Sequence, residues 1–120
     1  MSIDDNDATA NSKLQVRVDG ATASLTLDSS SRLLLGTTTE GHVSADDLTI
    51  SSSAHTGMTI RSGTSSHGNI FFSDATSGGA EYAGYVQYNH ASDYLLFGTN
   101  ANDRVQILSL IHISEPTRPY

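Results

Sequence analysis

The sequence predicts an all-β fold of short antiparallel strands and hairpins, with no substantial helix. Apolar and polar residues alternate in brief runs, and clusters of Ser, Thr, Gly, Asn and Asp separate the runs. The supply of large apolar side chains is thin, since Leu, Ile, Val and Phe make up 26 of the 120 residues. That fraction is about 22%, close to the ~20% below which chains tend to be disordered. We therefore expect several copies to share one apolar interior.

Short strands are predicted in the first half of the chain. Residues 14–18 alternate between apolar and polar, and the turn-forming pair Asp19-Gly20 follows. Two further apolar runs, residues 25–27 and 32–35, are separated by a polar stretch of three serines. Residues 1–12 are acidic and lack apolar periodicity, so we expect them to form a flexible arm.

The second half contains a predicted hairpin over residues 82–97, with its turn at residues 89–92. Short apolar runs precede it at 48–50, 58–61 and 70–72. Strict alternation along the first strand of the hairpin divides its side chains between two faces. One face is predicted to carry Tyr82, Gly84, Val86 and Tyr88, and the other Tyr85 and Gln87. A last strand is predicted to begin at residues 104–107.

Charge and composition argue against several classes of function. The net charge is −7 and the basic residues are scattered, so we expect no nucleic-acid partner. The chain has no Cys and no apolar run near the ~20 residues of a membrane helix. We therefore expect neither disulfides nor membrane insertion. No pair of histidines has the spacing of metal ligands, so no metal and no cofactor are predicted; the histidines before residue 108 are His42, His55, His67 and His90.

Enzymatic activity is not expected. The glycines at 63 and 68 are too far apart for a nucleophile elbow, and no phosphate-binding loop occurs. A glycosidase needs two carboxylates close together. Glu81 and Asp93 are the only carboxylates near the aromatic residues, and the predicted hairpin places them at opposite ends of its strands.

Four tyrosines lie within thirteen residues of one another: Tyr82, Tyr85, Tyr88 and Tyr94. Exposed aromatic rings on a β-surface can stack on sugar faces, so the four are candidate glycan contacts. Tyrosine is also enriched in strands because it packs well against cross-strand neighbours. We favour packing, and both interpretations stay open at this point.

A family resemblance covers about half of the chain. Its carrying stretches are LTISSS, GMTIRSGTSSHGNIFFSDATSG and EYAGYVQYNHASDYLLFGTNANDRVQI. In their order these motifs resemble a segment that recurs in phage tail fibre and tail-spike-like proteins. The resemblance implies a homotrimeric, fibrous β-structure on a virion, in the extracellular space, with a structural role in host-cell attachment. Its implied partners are two further copies of the chain and a host surface glycan or receptor.

Two other functions are compatible with the resemblance. Similar segments occur in prophage-derived and bacterial surface proteins, where the chain would be a carbohydrate-binding β module. The chain would otherwise be the non-catalytic part of a glycan-cleaving tail spike.

The last thirteen residues differ in composition from everything before them, and both prolines of the chain lie there. Back-translation of residues 108–118 gives a nucleotide string that resembles the adapter of transposase-based sequencing libraries. We therefore expect a non-native, adapter-derived tail. The predicted organisation has four parts: an acidic arm over 1–12, a repeat-like shaft segment over 13–47, a truncated tail-fibre-like domain over 48–107, and the tail over 108–120.

Overall fold

The computed structural model describes residues 2–4, 13–18, 20 and 24–108, with the backbone alone for residues 2–4. It confirms the all-β prediction. Within the described residues there is one short 3-10 helix, Gly78–Tyr82, and no helix with the length and hydropathy to cross a membrane. The strands are β1 Ser2–Asp4, β2 Lys13–Val16, β3 Leu25–Leu27, β4 Leu33–Leu35, β5 Leu48–Ile50, β6 His67–Phe72, β7 Gly84–Asn89, β8 Tyr94–Thr99 and β9 Asn102–Leu108.

The chain divides into two compact units, Met1–Met58 and Thr59–Tyr120. The first unit holds a five-stranded sheet in the order β1-β2-β3-β4-β5. Its first four strands are antiparallel, and β5 pairs parallel to β4. The second unit holds a four-stranded antiparallel meander in the order β6-β7-β8-β9.

One face of the first sheet carries a row that is buried over β2 to β4 and half-buried at β5. Gln15, Thr26, Leu34 and Thr49 are direct neighbours across four strands. Leu34 and Thr26 are each 1% exposed and Gln15 is 8% exposed. The Gln15 amide donates a hydrogen bond of 3.3 Å to the Thr26 hydroxyl, so the buried polar atoms satisfy each other.

The opposite face of this sheet carries most of its apolar side chains. Two cross-strand rows run over β2 to β5, and every member is aliphatic. None of them is fully buried, and Leu27 and Leu48 are exposed by 41% and 48%. We call this surface the aliphatic face; its residues are Leu14, Val16, Leu25, Leu27, Leu33, Leu35, Leu48 and Ile50.

An ion-pair cluster fixes the turn between β3 and β4. One carboxylate oxygen of Asp28 accepts hydrogen bonds from the backbone N–H groups of Ser30 and Arg32, at 2.9 and 3.0 Å. The Arg32 guanidinium donates to the other oxygen at 2.7 Å and to Asp46 at 3.1 Å, and it lies 3.4 Å from Glu40. The backbone N–H of Arg32, followed by its side chain, holds the pKa of Asp28 below its usual value.

The second sheet also has one apolar face, formed by eight cross-strand neighbours. None of the eight is buried: Phe72 is 61% exposed, and Val105 and Ile107 are 52% and 53% exposed. We call this surface the apolar face; its residues are Ile70, Phe72, Val86, Tyr88, Leu95, Phe97, Val105 and Ile107. The other face mixes aromatic and polar side chains and holds the buried residues Tyr85, Asn89 and Leu96.

The predicted hairpin is present as β7 and β8, with two corrections. The turn lies at residues 90–93 rather than 89–92, because the Asn89 carboxamide accepts hydrogen bonds from the backbone N–H groups of Ala91 and Ser92. Asn89 therefore ends β7 and caps the turn. Tyr82 belongs to the 3-10 helix, so its assignment to the same face as Tyr88 was wrong.

Three other sequence-based assignments differ from the structure or lie outside it. Residues 58–61 form no strand, since Met58 and Ile60 are 60% and 46% exposed and pair with no neighbour among the described residues. The predicted boundary before Leu48 falls inside the first unit, because β5 pairs with β4. In the expected flexible arm, Ser2–Asp4 forms a strand, while residues 5–12 lie outside the described residues, as do residues 109–120 of the expected tail.

Gly36 follows β4 in a left-handed conformation, φ 77°, and a Cβ there would lie 2.1 Å from the Ser51 carbonyl oxygen. Gly78 has φ 69° with open space around it. Gly78→Ala should therefore lose only the left-handed preference, about 1 to 2 kcal/mol. Gly36→Ala should lose that and about 1 to 3 kcal/mol more through the clash. Thermal or denaturant unfolding of both variants measures the difference, and equal losses would contradict the close approach.

The Asp28 cluster gives a pH dependence with a definite sign. Because its pKa is lowered by folding, the Asp28 carboxylate contributes stability that is complete above its ordinary value of 3.8 and lost as the pH falls through the lowered pKa. Asp28→Asn should remove this component, so its unfolding free energy should fall less steeply between pH 5 and about pH 2 than that of the parent chain. Ser65→Ala, a change of a neutral, exposed side chain in a loop of the second unit, should leave the slope unchanged. Parallel slopes for parent and Asp28→Asn would contradict the cluster.

Candidate functional site

A recess lies on the mixed face of the second sheet, with a volume of about 340 Å³. Five side chains line it: Phe71, Tyr82, Tyr85, Gln87 and Asp103. They come from β6, the 3-10 helix, β7 and β9. One cross-strand row runs under the recess. Its successive neighbours are Phe71 on β6, Tyr85 on β7, Gly98 on β8 and Asp103 on β9.

Three aromatic rings form the body of the recess. The ring centroids of Phe71, Tyr82 and Tyr85 are 6.1, 6.2 and 6.4 Å apart, with interplanar angles of 44° to 68°. These are the tilted and edge-to-face arrangements that aromatic pairs prefer. Tyr85 is 8% exposed and forms the floor, whereas Phe71 and Tyr82 are 51% and 40% exposed and form the rim. The rings therefore support one another and still present apolar surface to a ligand.

Gly98 allows the floor to form. A Cβ at this position would lie 2.0 to 2.3 Å from three atoms of the Tyr85 ring. The ring therefore lies across the backbone of β8, where a glycine leaves the surface open. From there the Tyr85 hydroxyl reaches β9 and donates a short hydrogen bond to Oδ1 of Asp103.

A β-bulge decides which residue of β9 meets Tyr85. Phe97 pairs with Val105, but the register shifts at the next position, so that Gly98 pairs with Asp103. A regular ladder would place Arg104 opposite Gly98. The bulge therefore gives the recess a carboxylate in place of a guanidinium.

The polar atoms of the recess are mainly acceptors. The Gln87 amide nitrogen donates to Asn69 at 2.8 Å, so its Oε1 is directed to no partner within the described residues. Oδ2 of Asp103 likewise accepts no hydrogen bond from them. The hydrogen bond to Asp103, together with partial burial, raises the pKa of the Tyr85 phenol above its usual value. In the described part of the chain no basic side chain lines the recess.

The structure separates the four tyrosines that the sequence grouped. Tyr82 and Tyr85 meet in the recess. Tyr94 lies on the same face but opposite Asn89, at the far end of β7, where its hydroxyl accepts a 2.9 Å hydrogen bond from the Asn89 amide. That end of β7 is four residues, roughly 13 Å, from Tyr85. Tyr88 belongs to the apolar face, so the four do not form one surface.

Tyr88 takes part in a second concavity, on the apolar face. This groove has a volume of about 290 Å³. The Tyr88 hydroxyl donates to Asp93 at 3.2 Å, and its ring meets the ring of His90 edge-on at 4.9 Å. Burial and then the Asp93 charge raise the pKa of the Tyr88 phenol. The rest of its lining is mostly aliphatic, namely Ile60, Gly68, Asn69, Ile70, Val86 and Leu95.

The structure separates the acidic pair that the sequence singled out. Glu81 is in the 3-10 helix before β7 and Asp93 is in the turn after it. A strand of this length separates them by about 17 to 20 Å, beyond the ~5 to 9.5 Å of glycosidase carboxylates. Among the described residues no three His, Asp or Glu side chains are grouped as metal ligands.

Sequence reasoning missed Phe71, Gln87 and Asp103 as members of the site. The hairpin register supplies the signal for Tyr85, because a turn at residues 90–93 places it opposite Gly98. An aromatic ring opposite a glycine indicates cross-strand stacking. Asp103 had no such signal, since the bulge that selects it has no mark in the sequence.

The Tyr85 phenol offers a direct check of this geometry. Asp103→Asn removes the negative charge but keeps a side chain of the same size, so the pKa of Tyr85 should move down toward its ordinary value of 10.0. Asp93→Asn should lower the pKa of Tyr88 and leave that of Tyr85 unchanged. Ultraviolet or NMR titration of the tyrosines measures both. If the pKa of Tyr85 is the same in Asp103→Asn as in the parent chain, the hydrogen bond between Tyr85 and Asp103 is ruled out.

Comparison of the chain with known protein families, with curated proteins and with solved structures finds no match in any of the three.

Proposed function

We propose that the chain is a non-catalytic structural segment of a virion tail fibre, which assembles with two copies of itself and contributes to host-cell attachment. Two apolar sheet faces, one in each unit, carry the proposal. In each unit most apolar side chains of the sheet lie on this face, and none of the eight residues that define it is fully buried. Apolar surface of this extent marks an interaction site.

The thin core of the isolated chain supports assembly. Among the described residues only Leu34, Tyr85 and Leu96 are buried hydrophobic side chains. Three side chains are too few to offset the conformational entropy of ordering two sheets. Further apolar surface therefore has to leave water if the chain is to fold stably, and the two apolar faces are the surface it has.

The size of the apolar face fits a partner protein. Its eight side chains are between one-tenth and two-thirds exposed. With side chains of this size the face offers on the order of 700 Å², close to the ~800 Å² that each partner buries in a specific interface.

Charge favours a second copy as the occupant. Each chain carries a net charge of −7, so copies repel one another in general. The eight side chains of the apolar face and the eight of the aliphatic face include no charged group. Identical acidic chains can therefore approach through these faces without bringing like charges into contact.

Assembly of three copies around a common axis would cover these faces and would leave no apolar face free to add a fourth copy. Sheets arranged around a common axis bury their inward faces against each other and form a closed ring. The tail-fibre resemblance of residues 48–107 implies the same trimeric state. The mixed face of the second sheet then points outward, which suits its polar side chains.

A second candidate function is a carbohydrate-binding β module of a bacterial or prophage surface protein. The aromatic recess favours it, because an exposed aromatic rim beside a carboxylate and an amide is a common way to hold a sugar. Oligomeric state separates the two candidates, since a surface module would fold as a single copy.

The mass of the full chain in solution tests assembly. Sedimentation equilibrium should give three times the 12.7 kDa of one chain. A melting temperature that rises with protein concentration should accompany it, because unfolding and dissociation are linked. A monodisperse monomer with a cooperative melt would contradict the proposal.

Two neighbouring residues of β9 offer a matched test of which face is buried. Val105 lies on the apolar face and Gln106 on the mixed face, and both side chains are exposed in the single chain. Val105→Asp should place an uncompensated charge in the interface, at a cost of about 3 to 5 kcal/mol, and shift the chain to monomers. Gln106→Asp adds the same charge and should leave the mass unchanged. Equal effects of the two changes would rule out the apolar face as the interface.

Location on a virion has its own test. Antibodies raised against residues 24–107 should label the tails of phage particles that carry the gene, as seen by electron microscopy. Labelling of bacterial surfaces in the absence of particles would favour the surface-module alternative.

A further inference from the structure

We propose that the recess formed by Phe71, Tyr82, Tyr85, Gln87 and Asp103 binds a neutral saccharide ring. The biological purpose of such a site rests on the proposed attachment role. The binding chemistry depends only on the residues of the recess. The geometry of the aromatic rings, the polarity of the remaining atoms and the orientation of the face point to this ligand class.

The rings form a platform. Their centroid separations of 6.1 to 6.4 Å mean that they contact one another and leave no gap between them. A quaternary ammonium group also binds over aromatic ring faces, so choline is the alternative ligand that the titration below includes. The exposed ring faces suit a ligand with an apolar surface, and the C–H face of a pyranose is such a surface. Phe71 and Tyr82, both strongly exposed, supply the stacking area.

The polar atoms fit hydroxyl groups. Oδ2 of Asp103 and Oε1 of Gln87 have no hydrogen-bond donor among the described residues, so both are available as acceptors. Sugar hydroxyls donate to acceptors of this kind. The recess has a carboxylate and, in the described part of the chain, no basic lining, so anionic ligands such as sialic acid are disfavoured.

The recess is also on the side of the sheet that assembly leaves open. It belongs to the mixed face, opposite the apolar face. A trimer that buries the apolar face therefore presents three recesses outward. Three weak single-sugar sites acting together would bind a cell surface much more tightly than one.

Gly98 is a positioning residue for this site. It does not line the recess, but its missing side chain is what allows the Tyr85 ring to lie as the floor. Gly98→Ala is therefore expected to displace the floor and weaken binding while leaving the rim residues in place.

NMR titration of the isotope-labelled full chain tests the proposal. The probes are the methyl glycosides of glucose, galactose, mannose and N-acetylglucosamine, with choline and sialic acid for comparison. At least one neutral glycoside should bind saturably and shift the Gln87 side-chain amide signal. Phe71→Ala and Tyr82→Ala should each weaken that affinity about tenfold, because each removes stacking area.

Tyr94→Ala is the matched control, since it removes an aromatic ring from the same face of the sheet but outside the recess, roughly 13 Å from Tyr85 along β7. It should leave the affinity for a monovalent glycoside within about twofold, well below the effect of a lost stacking contact. Three results would overturn the proposal: no saturable binding of any neutral glycoside, unchanged affinity in Phe71→Ala and Tyr82→Ala, or binding of choline or sialic acid in place of the neutral sugars.

Mass measurements on the same samples keep the two proposals apart. A trimer without glycoside binding would refute the recess alone. Glycoside binding by a monomer would refute the fibre assembly alone, and would favour the surface-module alternative.

Discussion

The structure depends on how a small number of apolar side chains is distributed. Each sheet places most of them on one face, and strand alternation leaves the other face for the row of Gln15, Thr26 and Leu34 in the first sheet and for the aromatic recess in the second. Only three hydrophobic side chains are buried among the described residues, and the proposed assembly would bury the apolar side chains of the two faces as well. In the proposed trimer, repulsion between the acidic surfaces would leave the uncharged faces as the place where copies can meet.

The recess shows how backbone irregularity prepares a site on a regular sheet. Two local features are needed: a glycine under the Tyr85 ring and a bulge that brings Asp103 rather than Arg104 to its hydroxyl. Without the glycine, the Tyr85 ring could not lie over β8 as the floor of the recess. Without the bulge, Arg104 would lie opposite Gly98 and the charge beside the Tyr85 hydroxyl would be positive. The backbone of β8 and β9 therefore determines where Tyr85 and Asp103 lie in the recess. Phe71 and Tyr82 at its rim supply the stacking area.

Sequence reasoning predicted the strands more reliably than their partners. Alternation and short apolar runs located β2 to β9, but they also suggested a strand at residues 58–61, which pair with no neighbour among the described residues. The parallel pairing of β5 with β4 and the bulge at Phe97 depend on contacts between distant segments, which local patterns do not encode. Of the four tyrosines predicted as candidate glycan contacts, only Tyr82 and Tyr85 meet in the recess. Tyr88 was separated by strand alternation, and Tyr94 by the length of β7.

The central claim is that other copies of the chain cover the apolar faces. Covalent footprinting of the full chain over a range of concentrations tests it most directly, because coverage by other copies must grow with concentration. Phe72, Phe97 and Val105 should become protected as the concentration rises, while Phe71 and Tyr82 stay reactive throughout. Protection of these three residues at a concentration where the mass is that of a single chain, or reactivity that never falls, would contradict the account.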